Sequence, residues 1–294
     1  SMGSRMETLY QLMDGKAEAL EFLVSDEPDL VGIPLKDLKL KAGTLIAGIV
    51  RDRRILIPGG NDAIEEGDHV ICSDDTFMCT TSMFGDILPH RLGIETSRVE
   101  ILDVSNIEKE IRPNTKVIYL EALPNPQLQL ADTPKIAEIA HAHGCKFIVD
   151  NTFPTPINCR PFEWGADIVT HSTTKYMDGH GVAVGGCIVD SGKFDWTAYP
   201  DKFPGLCTPD DSYHGVTYTE RFGLEGAFIT KCTAQLMRDL GSIQSPQSAF
   251  YLNLGLESLP FRMRQHCANA QAIAEHLSTN EKVAWIKYCG LKGD

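Results

Sequence analysis

No stretch of this 294-residue chain stays apolar for the roughly 20 residues that a bilayer-spanning helix needs. The first residues also lack the basic start and apolar core of a secretion signal. A cytoplasmic protein without a membrane span is expected. Basic residues are scarce as well: 27 Lys and Arg stand against 40 Asp and Glu, a formal charge of -13, which argues against a nucleic-acid surface. Any bound phosphate must then be held by local groups. The nine cysteines form no Cys-x-x-Cys pair and no Cys/His spacing suited to zinc, so they read as reduced thiols rather than a disulfide framework or a metal site. His141 and His143 lie two apart and cannot share one helix face. Both nucleotide loops are missing too. Gly179, Gly181, Gly185 and Gly186 follow Lys175 instead of preceding it, and no Gly-x-Gly-x-x-Gly sits at a strand-to-helix turn.

The apolar content, 43%, is enough for a sizeable core, and the length allows one or two domains. Phe147-Ile-Val-Asp150 and Ala166-Asp-Ile-Val-Thr-His-Ser172 read as buried parallel strands, each ending in groups expensive to bury idle. Asp150 ends the first, and Ser172, Thr174 and Lys175 follow the second. From Lys116 to Gly186 the pattern alternates strand and helix, with a helix from Pro134 to His143 closed by Gly144, as in a parallel sheet covered by helices. Ligands in such folds sit at the strand ends. The residue set suits pyridoxal phosphate: an amine for the Schiff base, a carboxylate to keep the pyridine nitrogen protonated, and hydroxyls for the phosphate. The alternatives are a strand end that happens to carry Asp and a solvated lysine cap.

Val149 to Pro156, Arg160 to Tyr176 and Gly179 to Gly186 resemble the Cys/Met-metabolism family of pyridoxal-phosphate enzymes. Asp211 to Gly215 and Ser245 to Glu257 are similar to its O-acetylhomoserine sulfhydrylase branch. The resemblance runs from about Gly67 to Asp294. It implies an incomplete fold-type I large domain over residues 67–245, a mostly parallel sheet with helices on both faces, and the start of a truncated C-terminal domain over 246–294. It implies Lys175 as the Schiff-base lysine, Asp150 at the ring nitrogen, Ser172 and Thr174 at the phosphate, and Asn125, in Leu123-Pro-Asn-Pro126, at the ring oxygen. Phe77 would stack on the ring where relatives place a tyrosine, without the tyrosine's hydroxyl. The implied reaction is γ-replacement on a small amino-acid substrate, O-acetylhomoserine plus sulfide giving homocysteine and acetate, in a homo-oligomer. The family's own N-terminal portion, and the arginine that grips the substrate carboxylate, would lie outside this chain.

Residues 1–66 differ. Met6 to Met13 looks helical, Ala19 to Val24 and Leu45 to Val50 look like strands, Pro34 to Leu40 is a short amphipathic turn, and Arg54 to Pro58 returns as a hairpin. This stretch, with Pro58 to Asp62, Ile64 and Gly67 to Val70, resembles the regulatory C-terminal domain of TrkA-type potassium-uptake proteins, which implies a small α/β regulatory-type domain with a possible link to a potassium-uptake system. Gly67 to Cys72 fits both families. A non-catalytic ligand-binding or regulatory protein acting through residues 17–73, or a chimeric fragment without activity, therefore stands beside the enzyme reading.

Further elements are expected at Arg98 to Leu102 (strand), Ser105 to Ile111 (helix capped by Ser105), Phe222 to Leu240 (helix), Ser245 to Leu277 (helix) and Val283 to Tyr288 (strand). Asp190 to Tyr218 is irregular and long, which suggests a lid or interface. Within it Tyr213 and His214 are candidate substrate contacts, with surface packing as the alternative.

Overall fold

The computed structural model describes residues 5–12, 17–23, 30–40, 46, 49–51, 54–56 and 67–291. The expectations for Pro58 to Asp62 and Ile64 lie outside these residues. At the N-terminal end β1 (Arg5–Leu12) pairs antiparallel with β2 (Ala17–Leu23). The stretch expected to be helical from Met6 is therefore strand, because a ladder with a following strand supplies the backbone bonds that a short helix would have made internally. A single 3₁₀ turn covers Leu35–Asp37, and β3 (Ile49–Arg51) and β4 (Arg54–Leu56) form the hairpin.

The main sheet follows. β5 (His69–Ser73) leads through α1 (Met78–Ser82), a π-helical stretch (Met83–Ile87) and α2 (Leu88–Leu92) to β6 (Glu95–Val99). Then come α3 (Ser105–Glu110), β7 (Thr115–Glu121), α4 (Thr133–Ala142), β8 (Lys146–Asp150), α5 (Thr155–Asn158), β9 (Ile168–Ser172) and β10 (Gly186–Asp190). The strand order is β10-β9-β8-β7-β5-β6, parallel throughout except for β10, which runs antiparallel to β9. The core lies where the central strands meet the helices: Ile71, Ile118, Leu120, Phe147 and Val149 pack with Ile107 of α3 and Ile136 and Ala140 of α4. α4 starts where the Asp132 carboxylate takes the Lys135 amide (3.1 Å) and Pro134 presets the first turn, and Gly144 at φ +62° lies just beyond its end.

Some elements differ from expectation. β6 stops at Val99 because Glu100 turns the chain, its carboxylate taking the amides of Leu102 (2.7 Å) and Asp103 (3.2 Å). Asp103, not Ser105, then holds the start of α3 by accepting the Ser105 amide at 3.0 Å. Val283 to Tyr288 forms no strand, since a β-run needs a ladder partner and none is present among the described residues.

The long segment from Asp190 to Tyr218 is a packed aromatic subcore and not an open lid. Phe194, Trp196, Leu206 and Tyr218 are buried, with Phe203 and Phe228 against Trp196. Tyr213 stacks on Tyr218 at 5.4 Å between ring centroids, which makes it a packing residue, and His214 turns the chain at φ +59°. α6 (Pro204–Cys207) lies inside this segment. α7 (Tyr218–Lys231), kinked at Gly223, continues through a π-helical stretch (Cys232–Met237) into α8 (Arg238–Leu240). The long α9 (Pro246–Ser278) is capped by the Ser245 hydroxyl, which takes the Ser248 amide at 3.1 Å. No described helix is long and apolar enough to cross a membrane.

Candidate cofactor and active site

The C-terminal ends of β7, β8 and β9 lie side by side, with Glu121 opposite Asp150 and Asp150 opposite Thr170 in the ladders. Here the backbone groups of parallel strands run out of partners, and the side chains take over. Asp150 is fixed twice: one carboxylate oxygen accepts the Thr152 amide (2.8 Å), the other the Thr170 hydroxyl (3.2 Å). Thr152 in turn accepts the Ser172 amide (2.8 Å) on its own hydroxyl oxygen. Asp150 and Ser172 are thus tied through one residue.

Beyond β9 the chain makes the tight turn that carries Lys175. The amides of Asp178 and Gly179 return to the carbonyls of Thr173 (3.0 Å) and Lys175 (2.8 Å). Gly185, just ahead of β10, closes the turn on itself. Its carbonyl accepts the Thr173 amide (2.9 Å) and the Thr174 hydroxyl (3.2 Å), while its amide donates to that same hydroxyl oxygen (3.1 Å). A Cβ at Gly185 would stand 2.7 Å from the Thr173 hydroxyl, so the approach needs glycine. The Lys175 amine lies 5.7 Å from the centroid of the Phe77 ring. Asn125 sits on the loop after β7, where its peptide bond to Pro126 is cis, and the Ala122 amide at the head of that loop donates to the Asp150 carbonyl (2.8 Å).

Lys175, Asp150, Ser172, Thr174, Asn125 and Phe77 therefore lie on this edge of the sheet or on a loop leaving it, whereas Tyr213 and His214 belong to the aromatic subcore. Two others emerge only in three dimensions. Glu121 accepts the Phe77 amide (2.8 Å) and the Thr80 hydroxyl (3.1 Å). Burial raises its carboxyl above the usual range, the hydrogen bonds from Phe77 and Thr80 oppose this, and the charge of neighbouring Asp150 adds to it. Thr152 is the second, and its place two residues after a strand-end aspartate is the signal that could have found it. Beside Lys175 an open cleft of about 400 Å³ is lined by Phe153, Tyr176, Gly179, Gly181, Arg262 and His266. Its lining is basic in a chain that is acidic overall.

Chemically this edge offers an amine facing an aromatic ring, an anchored carboxylate on the neighbouring strand, and two hydroxyls at the turn. That donor set fits a flat aromatic aldehyde with a basic ring nitrogen and a phosphate. Among the described residues no three His, Cys, Asp or Glu side chains converge as a metal site.

Comparisons with known proteins identify the family to which most of the chain belongs. The sequence model of the family described as Cys/Met metabolism PLP-dependent enzyme matches residues 61–294, and that of the TrkA-C domain matches residues 19–72. The two matches share residues 61–72, which include most of β5. A homocysteine/cysteine synthase of Kluyveromyces lactis is 42% identical over 226 residues, 76% of this chain and 50% of the relative. An O-acetyl-L-homoserine sulfhydrylase of Leptospira meyeri is 37% identical, covering 79% of this chain and 53% of the relative. The chain spans about half the length of the curated relatives it matches. Among solved structures, one described as an O-acetylhomoserine (thiol)-lyase of Campylobacter jejuni, with N′-pyridoxyl-lysine-5′-monophosphate, has a TM-score of 0.73 at 34% identity, covering 78% of this chain and 56% of that one.

Proposed function

Because the chain belongs to the Cys/Met metabolism PLP-dependent enzyme family, we propose that it acts in γ-replacement on a small amino acid, converting O-acetylhomoserine and sulfide to homocysteine and acetate. The cofactor's chemistry, when bound, is that of an electron sink, which lets a proton leave the substrate's α carbon and acetate leave its γ carbon. Lys175 attaches the cofactor and afterwards carries the proton away from and back to the substrate carbons. Asp150, held from two sides by Thr152 and Thr170, keeps the ring nitrogen protonated. Ser172 would donate to the phosphate, and Thr174 would do so by turning its one hydroxyl proton away from the Gly185 carbonyl. Asn125 would donate to the ring oxygen, and Phe77 would cover one face of the ring without contributing a proton. The observation that carries this reading is the Lys175 amine lying 5.7 Å from the Phe77 ring, at the strand edge that also holds Asp150.

On this reading residues 67–245 form the cofactor-binding part, residues 246–294 open a second domain, and residues 1–66 are a regulatory segment. The protein works as a homo-oligomer in the cytoplasm, where its nine unpaired cysteines stay reduced. The TrkA-C match over residues 19–72 favours a second reading: ligand binding, with a tie to potassium uptake, through the N-terminal segment alone.

The test is absorbance of the purified chain with added pyridoxal phosphate, followed by borohydride and peptide mapping. A yellow species trapped on Lys175, lost in Lys175→Ala, is expected, and sulfide-dependent release of acetate from O-acetylhomoserine then assays the reaction. Label spread over surface lysines, or none, leaves the regulatory reading in its place.

A further inference from the structure

We infer that Arg262, on α9, is a positioning residue for Lys175: it clamps the backbone of the turn that presents the lysine, without touching the amine. This rests on the reading of Lys175 as the cofactor-binding lysine. The turn satisfies part of its own backbone, through the amides of Asp178 and Gly179, and the buried Asp178 carboxylate takes the amides of His180 and Val182, each at 3.2 Å. The carbonyls of Tyr176 and Met177, directly after Lys175, face the other way, toward α9. The Arg262 guanidinium accounts for both. One terminal nitrogen donates to the Tyr176 carbonyl at 2.7 Å, while the other donates to the Gly255 carbonyl of α9 itself at 2.7 Å and reaches the Met177 carbonyl at 3.5 Å. Its Nε donates to the Ser258 hydroxyl at 2.9 Å, which sets the plane of the fork. A guanidinium can serve these acceptors together because its donors are splayed in one rigid plane, and a single ammonium cannot.

Two glycines show how closely the clamp fits. Gly179 has φ +74°, and a Cβ there would lie 2.5 to 2.8 Å from the Arg262 guanidinium. At Gly255 a Cβ would stand 2.5 Å from the Met177 carbonyl oxygen and run into that of Asp178. Helix and turn therefore meet backbone to backbone, with the arginine as the cross-piece. The Tyr176 ring is seated against His266 of the same helix (5.3 Å) and against Phe153 (6.1 Å), so the residue after Lys175 is held by side chain and carbonyl alike.

The experiment is borohydride trapping of pyridoxal phosphate on the full chain, with the rate at Lys175 followed by peptide mapping against cofactor concentration. Arg262→Ala is expected to slow maximal trapping at Lys175 by about tenfold or more, since small displacements of a reacting group have costs of this size. The half-saturating concentration should change little, because Arg262 does not reach for the phosphate, and labelling of surface lysines should not change. Millimolar guanidinium should restore part of the rate to Arg262→Ala, and Arg262→Lys should stay slow. If Arg262→Ala does not fold, Arg262→Gln carries the same comparison. Trapping at the unaltered rate and selectivity in the folded variant overturns the clamp alone. Absence of label on Lys175 in the unaltered chain overturns the clamp and the assignment of Lys175 together.

Discussion

Glu121 and Phe77 are joined across 44 residues by a hydrogen bond of 2.8 Å from the Phe77 amide to the Glu121 carboxylate, which also accepts the Thr80 hydroxyl at 3.1 Å. The carboxylate therefore holds the start of α1 and, with it, the aromatic face opposite Lys175. Glu121→Ala removes both bonds and should lower stability by about 1–2 kcal/mol, since the exposed edge of the site lets water replace part of what is lost. Glu121→Gln keeps an acceptor and should lose much less. Denaturant titration gives the stabilities, and amide exchange over residues 77–82 should quicken in Glu121→Ala only. Equal exchange in the two variants would mean that Phe77 is held by something else.

Glycine-to-alanine changes should have opposite signs at two helical sites. At Gly255 the new methyl meets the carbonyls of Met177 and Asp178, backbone atoms that cannot swing aside, so overpacking of about 1–3 kcal/mol outweighs the gain in helix propensity. At Gly85, where nothing lies within 4 Å of a built Cβ, the propensity gain stands alone and should add up to about 1 kcal/mol. Thermal unfolding of the two variants checks both signs at once.

The central sheet was legible because buried parallel strands carry short apolar runs, and Phe147 to Val149 and Ile168-Val169 are such runs, each followed by polar residues. Asp150, Ser172 and Lys175 stood out by the same logic, as polar groups where the apolar runs stop. What was not legible depends on partners distant in sequence. Nothing local makes Arg5–Leu12 a strand until Ala17–Leu23 lies beside it, and nothing local denies Val283 to Tyr288 a strand except the lack of a neighbour among the described residues. The aromatics from Phe194 to Tyr218 looked like a lid because loops rich in Pro, Gly and Asp usually are exposed, whereas here Trp196 and Tyr218 anchor a subcore. Glu121 reaches back 44 residues to Phe77, and Arg262 reaches back 86 to Tyr176. Spacing along the chain does not encode such contacts.

His69 makes the fold sensitive to acid. Its ring is fully buried, with Nδ1 2.8 Å from the Thr115 hydroxyl and Nε2 3.1 Å from the Ser97 hydroxyl. Ser97 spends its proton on Glu110, so Nε2 is the donor there, while the Thr115 oxygen takes the Arg112 amide and has its own proton to give to Nδ1. The neutral ring is satisfied and a second ring proton is not. Burial, then the Arg112 charge, lowers the pKa from 6.5 to about 4, against the pull of Glu110. Between these values the unfolded chain binds the extra proton, so stability is lost as pH falls from 6.5 toward 4, on the order of 2 kcal/mol. Urea titrations at pH 7 and 4.5 should show this loss in the native chain, and His69→Gln, weaker at pH 7, should show a smaller one.

Lys146 acts at the alkaline end. It opens β8 with 2% of its surface exposed, and its amine lies 3.6 Å from the Phe194 centroid and 3.1 Å from that of Trp196, with no hydrogen-bond partner among the described residues. Two forces oppose each other. Burial without a partner favours the neutral amine, whereas the ring faces and the nearby carboxylates of Asp167 and Asp190 favour the charged one. Burial is the larger and brings the pKa from 10.5 to about 7. Between pH 7 and 10.5 the unfolded chain then holds one more proton than the folded chain, so this residue makes stability rise with pH, by at most about 1.4 kcal/mol per unit. Below pH 7 both states are protonated and its contribution is flat. Lys146→Met keeps the length and removes the titration, so the native chain should gain on the variant from pH 7 to 9 in urea titrations. The comparison also cancels the cysteines, whose raised thiols give a slope of the opposite sign. Parallel curves for the two proteins would mean that the rings and carboxylates keep the amine charged, and that desolvation is the weaker force in this cage.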